Sequence, residues 1–202
     1  MSRLRRGFFA RDTLVVARAL LGQRLVRLLD GERLAGRIVE VEAYIGEGDL
    51  ASHARFGRTA RNAPMYGVPG HAYVYFIYGM HHCLNVVTER EGFPAAVLIR
   101  ALEPLEGIAT MRTRRVMENP ECGLQSAPKL TNGPARLCQA LGIDRRFDGA
   151  DLCAPDALLF IEKDTAVPDE AVASGPRVGV RGDEKALTAP WRFYVQGNRY
   201  VS

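Results

Sequence analysis

Apolar residues between Asp12 and Leu21 recur at a helical spacing. Leu14, Ala17 and Leu21 fall at i, i+3 and i+7, and Val16 and Leu20 widen that face. Asp12 suits the cap of such a helix and Gly22 its stop, while Arg18 sits at the edge of the apolar face, where its charged head reaches water. The period then changes to two. Arg24 to Leu29 reads as a strand, Asp30-Gly31 as a two-residue turn and Leu34 to Tyr44 as the return strand of a hairpin. Glu47 to Gly70 breaks the pattern with scattered glycine and proline and reads as loop. His71 to Gly79, HAYVYFIYG, is the clearest strand, and a turn near Gly79-Met80 leads to a partner strand from Cys83 to Thr88. Ala95 to Ala101 has the continuous apolar run of a buried strand. Pro104 suits the first turn of a helix reaching about Arg115, and Pro134 opens a short helix that ends at Gly142. Ala157 to Glu162, Arg177 to Val180 and Trp191 to Gln196 read as later strands, and Val116 to Asn132 as a weakly patterned, mobile connection. Strands and helices do not alternate regularly. The expected class is therefore α+β, a single domain over residues 1–202 with a curved, largely antiparallel sheet and flanking helices.

Composition adds limits. The 202 residues suffice for one sizeable core. The net charge of +4 permits a polyanionic partner without requiring one. Nearly all the basic residues are arginine, the lysines being Lys129, Lys163 and Lys185. No apolar run approaches the roughly 20 residues that span a bilayer. The basic start, Met1 to Gly7, is followed by Arg11, Asp12 and Arg18 rather than by an apolar signal core, so a cytoplasmic protein is expected. Cys83, Cys122, Cys138 and Cys153 lie far apart without a C-x-x-C pair, which reads as reduced thiols mostly in the core. His81 and His82 are adjacent, and neighbouring side chains on a strand point apart, so they make poor joint ligands. Neither a metal nor a cofactor is expected.

The candidate chemistry lies on two strands and the loop between them. With period two, Glu40, Glu42 and Tyr44 share one face of the first strand, and Val39, Val41 and Ala43 the other. The simplest reading is a wet face carrying two glutamates. The alternative is a carboxylate beside an aromatic ring in a pocket, with Glu42 activating a water. On the second strand Tyr73, Tyr75 and Ile77 share one face, and Val74, Phe76 and Tyr78 the other. Packing accounts for most aromatic clusters on strands. Yet a tyrosine at a hairpin tip can also wedge into a base stack while Tyr75, opposite, stacks on an extruded base. The intervening loop holds His53, Arg55, Arg58, Arg61 and Asn62. It reads either as a solvated basic loop or as a phosphate grip with His53 turned inward. No lysine lies between Glu40 and Arg100, so an amine able to form a Schiff base with a sugar carbon is missing there.

The segments RIVEVEAYIGEGDLASHARFGRTARN, PGHAYVYFIYGMHHCLNVVTE and AAVLIRALEPLEG closely resemble the alkyladenine (3-methyladenine) DNA glycosylase family, the animal-type enzymes also found in bacteria. GPARLCQALGI, RVGV and WRFYVQGN extend the likeness over nearly the whole chain. The resemblance implies a monofunctional enzyme, acting as a monomer on double-stranded DNA without a cofactor. Such an enzyme flips purines of the 3-methyladenine, hypoxanthine and ethenoadenine class and hydrolyses their N-glycosidic bond. By position it implies that Glu42 is the general base and that Arg100 lies near the catalytic water. Tyr44, His53, Tyr75 and Asn85 would line the base pocket, with Asn85 crowding the 2-amino group of guanine. Tyr78 would intercalate from the tip of a protruding, DNA-inserting hairpin, and Arg58 and Arg61 would contact DNA. The sequence departs from the family at Ala60, where relatives often carry proline, and at His81-His82. Two other readings stay open: a non-catalytic damaged-DNA-binding module, and an RNA-binding β-domain stacking bases on Tyr73 and Tyr75.

Overall fold

The structure, a computed structural model, describes residues 2–118 and 127–202. Two helices, α1 (Arg6–Phe9) and α2 (Thr13–Leu20), precede a hairpin of β1 (Arg24–Leu29) and β2 (Glu32–Ile45). A long loop leads to β3 (Ala72–Ile77), β4 (His81–Val87) and β5 (Ala95–Glu106). Then come α3 (Ile108–Glu118), α4 (Pro134–Leu141), β6 (Leu159–Glu162), β7 (Val172–Gly175), α5 (Glu184–Thr188) and β8 (Arg192–Val195).

The side chains explain the first elements. The Asp12 carboxylate accepts from the backbone N–H groups of Leu14 and Val15 at 2.9 and 3.2 Å, satisfying two donors that the first turn of α2 leaves free. Val16, Ala17 and Leu20 are fully buried beneath it, while Arg18 reaches outward to the Val167 carbonyl and Asp169. Asp30 and Gly31 both have positive φ, the conformation of the tight turn whose twist matches its strands, and Leu29 faces Glu32 across it.

The strands form one curved sheet in the order β3-β4-β5-β2-β1-β6, with β8 also paired to β2 and β7 to β8. Every pairing among the described strands is antiparallel. β2 is the hinge of this arrangement. Its first half pairs with β1 through Arg37, and Glu40 to Glu42 pair instead with β8. The register against β5 slips on either side of Glu40. Before the slip the main core takes Leu34 and Ile38; after it, Val41 and Ala43. A bulge has switched the parity of the strand. Val39 therefore does not share a face with Val41 and Ala43, as strict alternation predicts, and packs with Ala101 and Tyr200 in a separate cluster. Without the bulge, the parity that buries Ile38 would drive Glu40 and Glu42 into the apolar core.

α2 packs on β2 and β5, and α4 on β4, β5 and α3, closing the main core from one side. Two sequence expectations fail here. Pro104 does not begin a helix but lies inside β5, opposite Gly36 at a second register slip, where a residue without an N–H is tolerated. The helix starts beyond Gly107, at Ile108, and reaches Glu118. Arg177 to Val180 is not a strand either. The strand is β7, just before it, and Pro176 and the positive φ of Gly179 turn the following residues across the sheet. Of the connection expected over Val116 to Asn132, Val116 to Glu118 finish α3 and Ala127–Leu130 form one helical turn; residues 119–126, with Cys122, lie outside the described residues. Cys83 and Cys138 are buried and Cys153 half-buried. Among the described residues no helix is long and apolar enough to cross a membrane, and no group of three His, Cys, Asp or Glu residues is placed to hold a metal ion.

Candidate active site

A cavity of about 500 Å³ opens beside the β3–β4 hairpin, within the size range of small-molecule pockets. Glu42, Tyr44, His53, Tyr75, Asn85, Arg100, Tyr78 and Arg61 all line it, although they come from β2, β3, β4, β5, a hairpin tip and a loop. Arg58 stands apart, exposed on the outer loop with its guanidinium 5.6 Å from the centre of the Tyr66 ring.

Glu40 and Glu42 are fully buried, so the wet-face reading of this strand does not hold. An isolated buried carboxylate is costly unless donors surround it. Around Glu42 they do. Oε1 accepts from the Val178 backbone N–H at 2.7 Å and faces Arg100 Nη1 at 3.1 Å, and Oε2 accepts from the Tyr44 hydroxyl at 2.8 Å. Burial, then the negative charge of Glu42, raise the Tyr44 pKa well above its ordinary value, so the phenol stays a donor. Burial alone would lower the Arg100 pKa, but the charges of Glu42 and Glu40 overcome it and raise the pKa, keeping the guanidinium charged.

The aromatic walls stand on β3 and the loop. Tyr73 and Tyr75 project to the cavity side while Val74 enters the main core. The His53 ring meets Tyr75 edge to face, with centroids 4.5 Å apart, and His53 Nδ1 lies 2.8 Å from the Tyr73 hydroxyl. Burial of the imidazole, helped by the charges of Arg61 and Arg55, pushes its pKa down to about 4, although the outer part of the residue remains exposed. His53 is thus neutral near pH 7. Burial likewise raises the Tyr75 phenol and the Cys83 thiol whose sulfur accepts from it. Asn85 is buried, and its amide donates to the Tyr73 carbonyl at 3.0 Å, which fixes its orientation against the cavity. Asn62 ties the loop down: its amide donates to the carbonyls of His53 and Gly57, and its oxygen accepts from the Thr59 N–H.

The hairpin tip contrasts with this packing. Ile77 pairs with His81, and between them Tyr78 and Gly79 both have positive φ. The turn is centred one residue earlier than the sequence suggests. A tyrosine rarely adopts that backbone, and this one is 83% exposed. His81 and His82 point apart: His82 lies against Phe76 at a centroid distance of 4.8 Å.

Sequence reading missed the segment that roofs Glu42. Val178, Gly179, Val180 and Arg181 line the cavity because Arg177 is anchored beneath them. Arg177 is fully buried in a two-pronged pair with Asp49, at 2.6 and 2.8 Å, and also donates to the Ala43 carbonyl. Its guanidinium lies 4.7 Å from the centre of the Tyr44 ring and 4.9 Å from that of Trp191. A lone arginine in a short apolar run was the available signal. Glu40 was also undervalued. It accepts from Arg100, Arg192 and the Ser202 N–H.

Comparison with known proteins gives the class of the protein: it is a DNA N-glycosylase, a hydrolase of the bond between a base and its deoxyribose. The model of one family, methylpurine-DNA glycosylase, matches residues 7–199, and the chain belongs to that family. Several relatives, provisionally assigned as 3-methyladenine DNA glycosylases, align over almost their full length. The Methanocella arvoryzae protein is 50% identical, covering 98% of this chain and 95% of its own. The Desulfitobacterium hafniense protein is 45% identical over 100% and 99%. The Anaeromyxobacter dehalogenans protein is 52% identical over 99% and 86%. At the family level the protein acts on alkylated or otherwise damaged purines in DNA.

Proposed function

We propose that the protein turns purines of the 3-methyladenine, hypoxanthine and ethenoadenine class out of duplex DNA and hydrolyses their N-glycosidic bond with a water activated by Glu42. The supporting observation is a fully buried Glu42, ringed by donors, at the wall of a cavity with aromatic sides. Extruding a nucleotide costs a few kcal/mol, less for a damaged base. Stacking against an aromatic returns about 1–3 kcal/mol per base, and Tyr75 and His53 offer such faces. Tyr78, at the exposed tip, fills the gap left in the stack. As the glycosidic bond lengthens, positive charge develops on the sugar. Glu42 takes a proton from the attacking water and stabilises that charge. Among the described residues lining the cavity are Arg55, Arg61, Arg100 and Arg181 but no lysine, in keeping with attack by water rather than by an amine.

The test is base release from a duplex carrying one hypoxanthine, with binding measured in parallel. Wild type should leave an abasic site; Glu42→Gln should bind and lose release by about 10²–10⁴-fold. Release by Glu42→Gln at the wild-type rate sinks the role of Glu42. Binding without release by wild type on hypoxanthine, 3-methyladenine and ethenoadenine alike favours a damage-binding module.

A further inference from the structure

Glu40 is a second fully buried carboxylate, two residues from Glu42, and the chemistry proposed above gives it no task. Its bonds show what it does to Arg100. The Arg100 guanidinium spends each of its three nitrogens on a different partner: Nε on Glu40 Oε1 at 3.1 Å, Nη1 on Glu42 Oε1 at 3.1 Å, and Nη2 on the Ser202 hydroxyl at 3.0 Å. Glu40 is held in turn by Arg192 Nε at 2.6 Å and by the Ser202 N–H at 2.7 Å. An arginine beside a lone carboxylate prefers a two-pronged fork with bonds of about 2.7–2.9 Å. Arg177 and Asp49 adopt that fork in this same protein. Arg100 does not adopt it with Glu42: it offers one nitrogen, at a longer distance.

We propose that Glu40 is a positioning residue, backed by Arg192, that competes with Glu42 for Arg100 and so keeps Arg100 from gripping the base in a fork. The inference rests on the reading of Glu42 as the general base. A forked Glu42 would add a second charged donor, on Oε2, to the Tyr44 hydroxyl already there, and would be a weaker base. A Glu42 with no arginine beside it would be a buried, uncompensated charge. Sharing Arg100 between two carboxylates sets an intermediate state.

The groups facing Glu42 are few. Glu40 and Tyr44 lie on its own strand, Tyr75 on β3, Cys83 on β4, Arg100 on β5 and Arg177 in the roof, with Arg192 of β8 behind Glu40. Burial keeps Tyr44, Tyr75 and Cys83 neutral, and Asp49 compensates Arg177. Glu40, Arg100 and Arg192 are the charges in its bonded network; Arg55, Arg61 and Arg181 also line the cavity and, left unchanged in every variant below, act on all of them alike. His53, at the mouth, titrates near 4 but is common to all the variants below.

The experiment is the pH–rate profile of hypoxanthine release under single-turnover conditions for wild type, Glu40→Gln, Arg192→Gln and Glu42→Gln, with duplex affinity and Tm measured alongside. Glu40→Gln frees Arg100 to fork onto Glu42 and removes a neighbouring negative charge. Its acid limb should move down by about one pH unit, and its plateau rate should fall about tenfold with affinity unchanged. Arg192→Gln removes a positive charge and strengthens the pull of Glu40 on Arg100. Its acid limb should move up. A purely structural role for Glu40 would lower Tm without moving the two limbs in opposite directions. Limbs that coincide with wild type, or that both move one way, overturn the proposal. If Glu40→Gln does not fold, Arg192→Gln alone decides, because its limb either rises or does not. Glu42→Gln separates the two ideas. If it retains release, the general-base reading has failed; if it is inactive while the other limbs stay fixed, only the role of Glu40 has failed.

Discussion

The floor and the rim of the cavity are built in opposite ways. At the floor, Glu42, Arg100 and Glu40 are buried and bonded in a chain across β2 and β5, and Arg177 and Asp49 form a separate buried pair that anchors the roof segment. At the rim, Tyr78 is 83% exposed and Arg61 stands in solvent. A reacting water needs donors and charges already in place, because reorganising them during the reaction costs barrier height. A duplex, by contrast, must be met by groups that only its arrival will bury. On the proposed function, the floor is maintained by folding energy and the rim by the energy of binding.

Mutations that break this division should separate rate, stability and affinity. The largest effect belongs to Glu42→Gln, with release down by about 10²–10⁴-fold and duplex binding retained; parallel loss of binding would place Glu42 at the rim functionally. Next is Asp49→Ala, which strands the buried Arg177. It should cost about 3–5 kcal/mol in urea denaturation and slow release in the fraction that folds, since Val178 loses its anchor. A stability change under 1 kcal/mol would show that the pair is not what holds the roof. Tyr78→Ala should do the reverse. Stability should stay within about 0.5 kcal/mol, as for an exposed position, while extrusion of a fluorescent base analogue weakens; unchanged extrusion rules out the wedge. Asn85→Ser should raise release of unmodified guanine, and equal release by both proteins counts against a steric filter there.

The smallest effect concerns pH. The folded-state pKa of His53 lies near 4, below the ordinary value of 6.5. The unfolded chain thus binds the proton more readily in that window. The His53 contribution to stability is complete above about pH 6.5 and is lost as the pH falls toward about 4. Denaturation midpoints at pH 7 and pH 5 should differ slightly more for wild type than for His53→Gln. The exposed outer part of the ring keeps the difference small.

The α+β class, α2, the β1–β2 hairpin and both strands of the β3–β4 hairpin are legible in the sequence. Each depends on local physics: an Asp cap, a helical stripe of apolar residues, an Asp-Gly turn, and alternation. Of the residues around the cavity, Tyr75 was legible by counting strand faces, Glu42 as one of two readings of its strand, and Asn85 through the family resemblance. The errors fall where a local signal has two uses. Pro104 starts helices, but it also fits a strand at a register slip, and only the slip opposite Gly36 decides between them.

The sequence by itself determined α2, the two hairpins and the candidate side chains for chemistry, because period, caps and turns act over a few residues. The tertiary structure alone decided three further things. It showed that the Arg177 segment crosses the sheet as a roof and not as a strand. It showed that Glu40 is buried against Arg192 and Ser202, more than 150 residues away along the chain. It placed Glu42 in the cavity and not the core, through a parity switch at Glu40. The adjacent apolar pair Ile38-Val39 marks that switch in the sequence, but two apolar neighbours can equally be a continuous buried run. Which one they are depends on β2 exchanging β1 for β8 as its neighbour, and that pairing is made by residues distant in sequence.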